Sequence, residues 1–278
     1  MSGGGMSGAD GAQPRDPGTD APRAQRFVGR TALVTGASSG IGAGVARRLA
    51  AEGATVILLG RDESRLAQVR ASLTGQDRAH RTVTAELGDP ASITAAAQAV
   101  RDAGKLHVLV HSAGVFGPQP FAEISVETLD RVWAVNVRAP FLLTQALLPM
   151  LRRGSAIVFV SSVSGRVGMI GQSAYGTSKS AVDGLARTLA VELAPDGIRV
   201  NAIAPGYTAT PINAHLRAQP GRTEQLEAAI LAGRLGQVDD IAASIAFLAS
   251  DEAGFVHGIT LAVDGGYPTS HIQTGRPA

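Results

Sequence analysis

The chain has 278 residues, a length that suits one large α/β domain or two small ones and exceeds that of a small stapled module. Hydrophobic residues make up 45% of it, enough for a core, which excludes a mainly disordered protein. It has no cysteine, so disulfides, thiolate metal sites and a cysteine nucleophile are excluded, and a formal net charge of +2 argues against a nucleic-acid partner.

From Met1 to about Gln25 the residues are mostly Gly, Ser, Ala, Pro and Asp, which cannot repay the entropy of ordering. Residues 1–25 are therefore expected to form a flexible extension. From Phe27 onward, short β-branched runs alternate with helical periodicities. Strands are predicted at Thr31–Thr35, Thr55–Leu59, Thr82–Ala85, Val108–His111, Ala156–Val160, Val200–Ile203 and Thr260–Val263. Helices are predicted between them at Gly40–Glu52, Glu63–Leu73, Ser92–Ala103, Val126–Leu151, Ser173–Leu193 and Val238–Leu248. Most of the strands are apolar throughout, as strands covered on both faces are. The alternation predicts one doubly wound α/β domain over residues 26–267, with a parallel, seven-stranded sheet flanked by helices and a tail at 268–278.

Only residues 207–235 fall outside this rhythm, with Pro211, Pro220 and Gly221 around one helix predicted at Thr223–Leu231. Such an excursion is expected to act as a lid over a site. The best apolar run, Ala139–Leu151, is interrupted by Thr144, Gln145 and Pro149, so no membrane partner is expected. The start carries no basic cluster followed by an apolar stretch, and a cytoplasmic location is expected.

The first strand runs into Gly36-Ala37-Ser38-Ser39-Gly40-Ile41-Gly42, and a helix follows at once. Glycines there let the backbone turn tightly and approach a pyrophosphate, and the N–H groups at the helix start favour an anion. An ordinary tight turn uses the same residue types, but the strand, turn and helix context points to dinucleotide binding in a Rossmann-type domain. At the end of the second strand, where NAD-selecting folds place an acid, stands Gly60-Arg61-Asp62. Arg61 would attract a 2′-phosphate, so NADP(H) is the expected cofactor. NAD(H) remains the alternative, with Asp62 on the ribose, and Asp62 is also a candidate helix cap.

Tyr175-Gly176-Thr177-Ser178-Lys179 puts a phenol and an ammonium one turn apart on a helix face. The lysine matters, because Lys105 is the only other one among 25 basic residues. Such a pair also occurs on plain amphipathic faces. As chemistry, a nearby cation and a positively charged nicotinamide ring stabilise a phenolate and bring a tyrosine toward the acid–base range. Strand Ala156–Val160 ends in Ser161-Ser162, at the sheet edge where open α/β sheets bind ligands, although turn chemistry also explains two serines there.

With Thr35-Gly36-x-x-x-Gly40-x-Gly42, Asn136, Ser162 and Tyr175-x-x-x-Lys179 in this order, the chain from about Phe27 to Tyr267 resembles the short-chain dehydrogenase/reductase family. The segment from Arg234-Leu235-Gly236 through Phe247–Asp251 to Val263-Asp264-Gly265-Gly266 is similar to its bacterial 3-oxoacyl reductase and polyketide ketoreductase branch. The resemblance implies that Tyr175 donates a proton to a carbonyl oxygen that Ser162 polarises. It implies that Lys179 holds the nicotinamide ribose and lowers the tyrosine pKa, and that Asn136 holds a water linking Lys179 to solvent. Gly36, Ser38, Ser39, Gly40, Ile41 and Gly42 would meet the cofactor phosphates. Glu86 and Leu87 stand where the family usually has an Asp-Val pair near the adenine. Pro205, Gly206, Thr208 and Thr210 would flank the nicotinamide carboxamide and pyrophosphate.

Ser112, Ala113 and Gly114 would give the cofactor close passage past the fourth strand. His111-Ser112 departs from the family's Asn-Asn: Ser112 replaces only part of the amide's hydrogen bonding, and His111 reads as a structural histidine. The six histidines show no metal-ligand spacing. Ser162, Val163, Met169, Gln172, Tyr175 and Tyr207 are expected to line a mostly apolar substrate pocket. The implied reaction is NADPH-dependent reduction of a ketone to a secondary alcohol, on a hydrophobic, polyketide or other secondary-metabolite carbonyl. The alternatives are an NAD-dependent alcohol dehydrogenase and a non-catalytic dinucleotide-binding subunit. A homotetramer, or a homodimer, is expected through Val126–Leu151, Ser173–Leu193 and the last strand.

Overall fold

Seven strands form one sheet in the order β3-β2-β1-β4-β5-β6-β7 in the computed structural model, which describes residues 25–267. The expected extension, apart from its last residue, and the tail at 268–278 lie outside the described residues. The strands are β1 (Thr31–Thr35), β2 (Thr55–Gly60), β3 (Arg81–Thr84), β4 (Val108–His111), β5 (Ala156–Val160), β6 (Arg199–Pro205) and β7 (Thr260–Val263). Every pairing is parallel, as the strand–helix alternation predicts. The chain winds outward from β1 to β3, then returns to lay β4 beside β1. That reversal opens a crevice at the carboxyl ends of β1 and β4.

Successive side chains of a strand point to opposite faces, and here both faces are covered. Ala32 and Val34 of β1 pack with Val56, Leu58, Val108 and Val110 under α1 (Gly40–Ala51), α2 (Glu63–Ala71) and α9 (Val238–Ala249). Leu33, Ile57, Leu109, Ile157 and Phe159 face the other way, under α3 (Pro90–Arg101), α5 (Ala139–Leu147) and α6 (Ser173–Leu193). α3 begins two residues before its predicted start because Asp89 caps it, accepting from the N–H groups of Ala91 and Ser92.

The long helix predicted over Val126–Leu151 is not continuous. It divides into α4 (Val126–Trp133), a π turn at Ala134–Arg138, α5 and a 3-10 turn at Leu148–Met150. Two prolines account for the breaks: Pro140 brings no N–H to the ladder just where the turn widens, and Pro149 sits in the final 3-10 turn. The 207–235 excursion contains α7 (Ala214–Arg217) as well as the expected helix, which is shorter than predicted, α8 (Arg222–Ala228). Its two ends are tied together: Ala209 N–H donates to the Gly236 carbonyl at 2.8 Å and Gly236 N–H to the Tyr207 carbonyl at 2.9 Å. Leu226, Ile230 and Leu235 form its own small core against Tyr207 and Tyr267. Among the described residues no helix is long and apolar enough to cross a membrane.

Candidate active site

At the end of β1 the backbone must turn at once, and Gly36 does so with φ at +66°, in the left-handed region. A Cβ on Gly36 would lie 2.7 Å from the Ala113 Cα, and one on Gly42 would lie 2.3 Å from the Gly36 carbonyl oxygen. Both positions are closed to any side chain. Thr35 completes the junction from within β1: its Oγ1 accepts from the N–H groups of Ser112 and Ala113, each at 3.1 Å. Sequence reasoning did not single out this tie, which supplies the rigidity expected in part from the Ser112 side chain.

Ser39 starts α1 with no side-chain cap and no acid in the first turn, whereas Asp62 and Asp89 cap α2 and α3. The first N–H groups of a helix have no partner within it, so the start of α1 is left as an anion site. It opens on a crevice of about 1170 Å³ at the sheet reversal. Gly36, Ser38, Ser39, Gly40, Ile41, Gly42, Arg61, Glu86, Leu87, Ser112, Ala113, Gly114 and Thr210 all line this crevice. The uncapped helix start, the closed glycines and the groove beyond them fit a dinucleotide.

Arg61 stands exposed at the end of β2 with no hydrogen bond or ion pair among the described residues. Asp62 is engaged, accepting from the Arg65 N–H at 3.0 Å and from the Ser64 hydroxyl at 2.9 Å. Those bonds hold its carboxyl below the ordinary carboxylate range. Glu86 folds onto its own loop, where Oε1 accepts the Gly88 N–H at 3.1 Å. Trp133, Val135 and Phe141 also line the crevice. A sequence reading could not select them, because which residues of the Val126–Leu151 stretch face inward depends on the π turn.

A chamber of about 160 Å³ adjoins the crevice and shares Ile41, Ser112, Gly114, Thr210 and Ile212 with it. Ser162, Val163, Met169, Gln172, Tyr175 and Tyr207 line it, together with Lys179, Pro205, Gly206 and Thr208. The arrangement follows from the strand and helix ends. Ser162 leaves β5 and caps the 3-10 turn Val163–Gly165, while Tyr175 and Lys179 project from the first turns of α6. The Lys179 Nζ donates to the Val160 carbonyl at 2.8 Å and lies 5.6 Å from the centre of the Tyr175 ring. Phe116 meets that ring edge-on at 4.9 Å.

Desolvation pushes the Tyr175 phenol up to about 12, with the Ser162 side chain pulling the other way. This is the state of the chain by itself, before a nicotinamide ring adds its charge beside the phenol. Burial also pushes the Lys179 ammonium down to about 8, against the pull of Asp183 one turn along. Asn136 sits in the π turn, buried below the chamber. Its Oδ1 accepts the Val115 N–H at 2.8 Å, and its Nδ2 donates to the Val115 carbonyl at 3.1 Å and to Ser178 Oγ at 3.0 Å. Gly114 lies beside two members of the predicted tetrad: a Cβ there would sit at ordinary contact distance, 3.4 Å from Asn136 Oδ1 and 3.5 Å from Lys179 Nζ. His111 lies outside both cavities, stacked on Phe159 at 4.8 Å with Nε2 2.8 Å from Thr144 Oγ1.

The family model described as Enoyl-(Acyl carrier protein) reductase matches residues 36–268. The chain is 43% identical over 249 residues to cis-4-hydroxycyclohexanecarboxylate dehydrogenase of Sinomonas cyclohexanicum, covering 87% of this chain and 98% of that protein. It is 38% identical over 245 residues to D-threitol dehydrogenase of Mycolicibacterium smegmatis, covering 87% and 94%. Among solved structures, a short chain dehydrogenase from Burkholderia cenocepacia in complex with NADP superposes with a TM-score of 0.83 at 34% identity, covering 87% of this chain and 99% of that one. The glycine-closed crevice, the serine, tyrosine and lysine beside it and these matches over most of the chain carry one conclusion: the chain belongs to the short-chain dehydrogenase/reductase family of oxidoreductases.

Proposed function

We propose that this chain is an NADP(H)-dependent oxidoreductase that interconverts a small, mainly apolar ketone and its secondary alcohol. The observation that carries the reading is the meeting of Ser162, Tyr175 and Lys179 in a chamber that opens onto the dinucleotide-shaped crevice. When bound, NADPH supplies a hydride to the carbonyl carbon. Tyr175, which burial keeps protonated at neutral pH in the chain by itself, delivers the proton to the oxygen. The Ser162 hydroxyl stabilises the same oxygen as charge develops on it. Lys179 binds the ribose and keeps a positive charge beside the phenol as it becomes a phenolate. Arg61, unpaired among the described residues, answers a 2′-phosphate, and the engagement of Asp62 as a cap supports NADP(H) over NAD(H).

The chamber volume of about 160 Å³ corresponds to roughly five water molecules. Phe116, Val163, Met169 and Ile212 give it apolar walls, so a monocyclic or short-chain carbonyl fits as it stands. The substrates named for the two dehydrogenases above, a hydroxycyclohexane acid and a four-carbon polyol, support the smaller class. Exposed Val126 and Leu129 on α4 support self-association through that helix, which a sedimentation mass above one chain would bear out.

The test of the mechanism is Tyr175→Phe, assayed by NADPH consumption with cyclopentanone and cyclohexanone. Turnover should fall by about 10²–10⁴-fold while NADPH affinity stays within about twofold. Near-normal turnover would refute the assignment.

A further inference from the structure

Tyr207 lines the chamber and also packs against the small core of the 207–235 excursion, formed by the buried Leu226, Ile230 and Leu235. Tyr267, which follows β7, packs against the same core. It is absent from the chamber walls and meets the Tyr207 ring edge-on, with 5.0 Å between centroids and 88° between planes. The Tyr207 ring therefore stands between the substrate space and the Tyr267 ring.

The backbones that carry the two rings are clamped together. Gly206 N–H donates to the Val263 carbonyl at 3.0 Å, and a Cβ on Gly206 would lie 2.7 Å from the Asp264 Cα. Gly265 and Gly266 then turn with φ at +63° and +82°. A Cβ on Gly265 would lie 2.6 Å from Ile230 Cγ2, and one on Gly266 would lie 2.7 Å from Leu231 Cδ1. The Ala232 N–H donates to the Gly265 carbonyl at 3.0 Å, and the Tyr267 N–H closes the turn on the Asp264 carbonyl at 3.2 Å. With both backbones held, the place of the Tyr207 ring is set by what fills the space beside it, as in any close-packed cluster.

We propose that Tyr267 is a positioning residue that sets substrate size: by filling the space behind Tyr207 it fixes that wall of the chamber. The substrate class it selects is a ketone with no bulky group on the Tyr207 side. This rests on the reading of the chamber as the site of ketone–alcohol interconversion. Truncating a side chain in a packed cluster leaves a cavity that its neighbours refill only in part. A cavity at Tyr267 adjoins the chamber across a single ring, so a rotation of Tyr207 about its side-chain bonds turns that cavity into substrate space.

The experiment compares cyclohexanone with 2-, 3- and 4-phenylcyclohexanone by NADPH consumption, using wild type, Tyr267→Ala, Tyr267→Leu and Tyr267→Phe. Tyr267→Ala should raise kcat/KM on at least one phenylcyclohexanone by about tenfold, while kcat on cyclohexanone and NADPH affinity stay within about twofold of wild type. Tyr267→Leu, which keeps an apolar contact with the small core, should show a smaller gain on the same ketone. Tyr267→Phe, which keeps the ring, should keep the wild-type ratio of bulky to small ketone. A merely structural role lowers activity on every substrate together and yields no gain on a bulky one. A parallel fall on all four ketones, an unchanged ratio in both Tyr267→Ala and Tyr267→Leu, or a Tyr267→Phe that behaves as Tyr267→Ala would each overturn the proposal. A crystal structure of Tyr267→Ala gives a readout that needs no turnover: the Tyr207 ring should move into the vacated space, and an unmoved ring would also overturn it. NADPH binding by the wild type with no consumption on any ketone would instead count against the parent reading of the function, and the position of the Tyr207 ring would still decide this proposal.

Discussion

His111 should make the chain sensitive to mild acid, and the size of the effect follows from its surroundings. The imidazole is 5% exposed, lies flat on Phe159 at 4.8 Å and 15°, and has Nε2 at 2.8 Å from Thr144 Oγ1. Burial pushes its pKa from the ordinary 6.5 down to about 3. The folded chain therefore keeps His111 neutral at pH 5, where the unfolded chain has already protonated it. A depressed folded pKa means that the stabilisation is full above the unfolded value and is lost as pH falls below it. Each pH unit between 6.5 and 5 costs about 1.4 kcal/mol, so His111 alone removes about 2 kcal/mol by pH 5. The figure barely depends on the folded value, since any pKa well below 5 leaves the native imidazole uncharged there.

The comparison is with His111→Gln, which keeps a donor near Thr144 and cannot titrate. Urea unfolding at fixed protein concentration, followed by the fluorescence of Trp133, the single tryptophan, gives the stability of each at pH 8 and pH 5. At pH 8 the variant should be weaker by about 1 kcal/mol, the worth of the lost ring stack. Between pH 8 and pH 5 the wild type should lose about 2 kcal/mol more than the variant, so the order of stability reverses. Parallel pH profiles for the two proteins would refute the assignment of a neutral buried imidazole.

Arg61→Asp should weaken NADPH relative to NADH by about 10–100-fold in kcat/KM, the worth of charge-assisted hydrogen bonds to a phosphate, and an unchanged ratio would remove Arg61 from that role. Lys179, pushed down to about 8 by burial, is cationic below that pH and neutral above it. Cofactor affinity, measured by nicotinamide fluorescence, should therefore weaken as pH rises through about 8, and Lys179→Met should be weaker throughout with a flatter profile.

The sequence alone determined the parallel sheet, because apolar runs flanked by amphipathic helices can be buried on both faces in few other ways. It determined the glycine junction too: Gly36 and Gly42 stand where a Cβ would meet backbone at 2.7 and 2.3 Å, a local constraint that leaves a local signature. Tyr175 and Lys179 were legible for a similar reason, since one helical turn fixes their spacing whatever surrounds them.

Only the tertiary structure decided what depends on partners distant in the chain. The break of the long helix at Ala134–Arg138 places Asn136 against Val115 and Ser178, and periodicity carries no mark of it. The Thr35 tie to Ser112 and Ala113 spans two strands, and the contacts among Ser162, Ser164 and Gln172 exist because a short turn docks on α6. Burial raises the Tyr175 phenol in the chain by itself, because desolvation is a sum over everything packed around a group. Residue type and spacing name the chemical groups; the folded environment sets how they are charged, which way each proton points and how large a molecule can reach them.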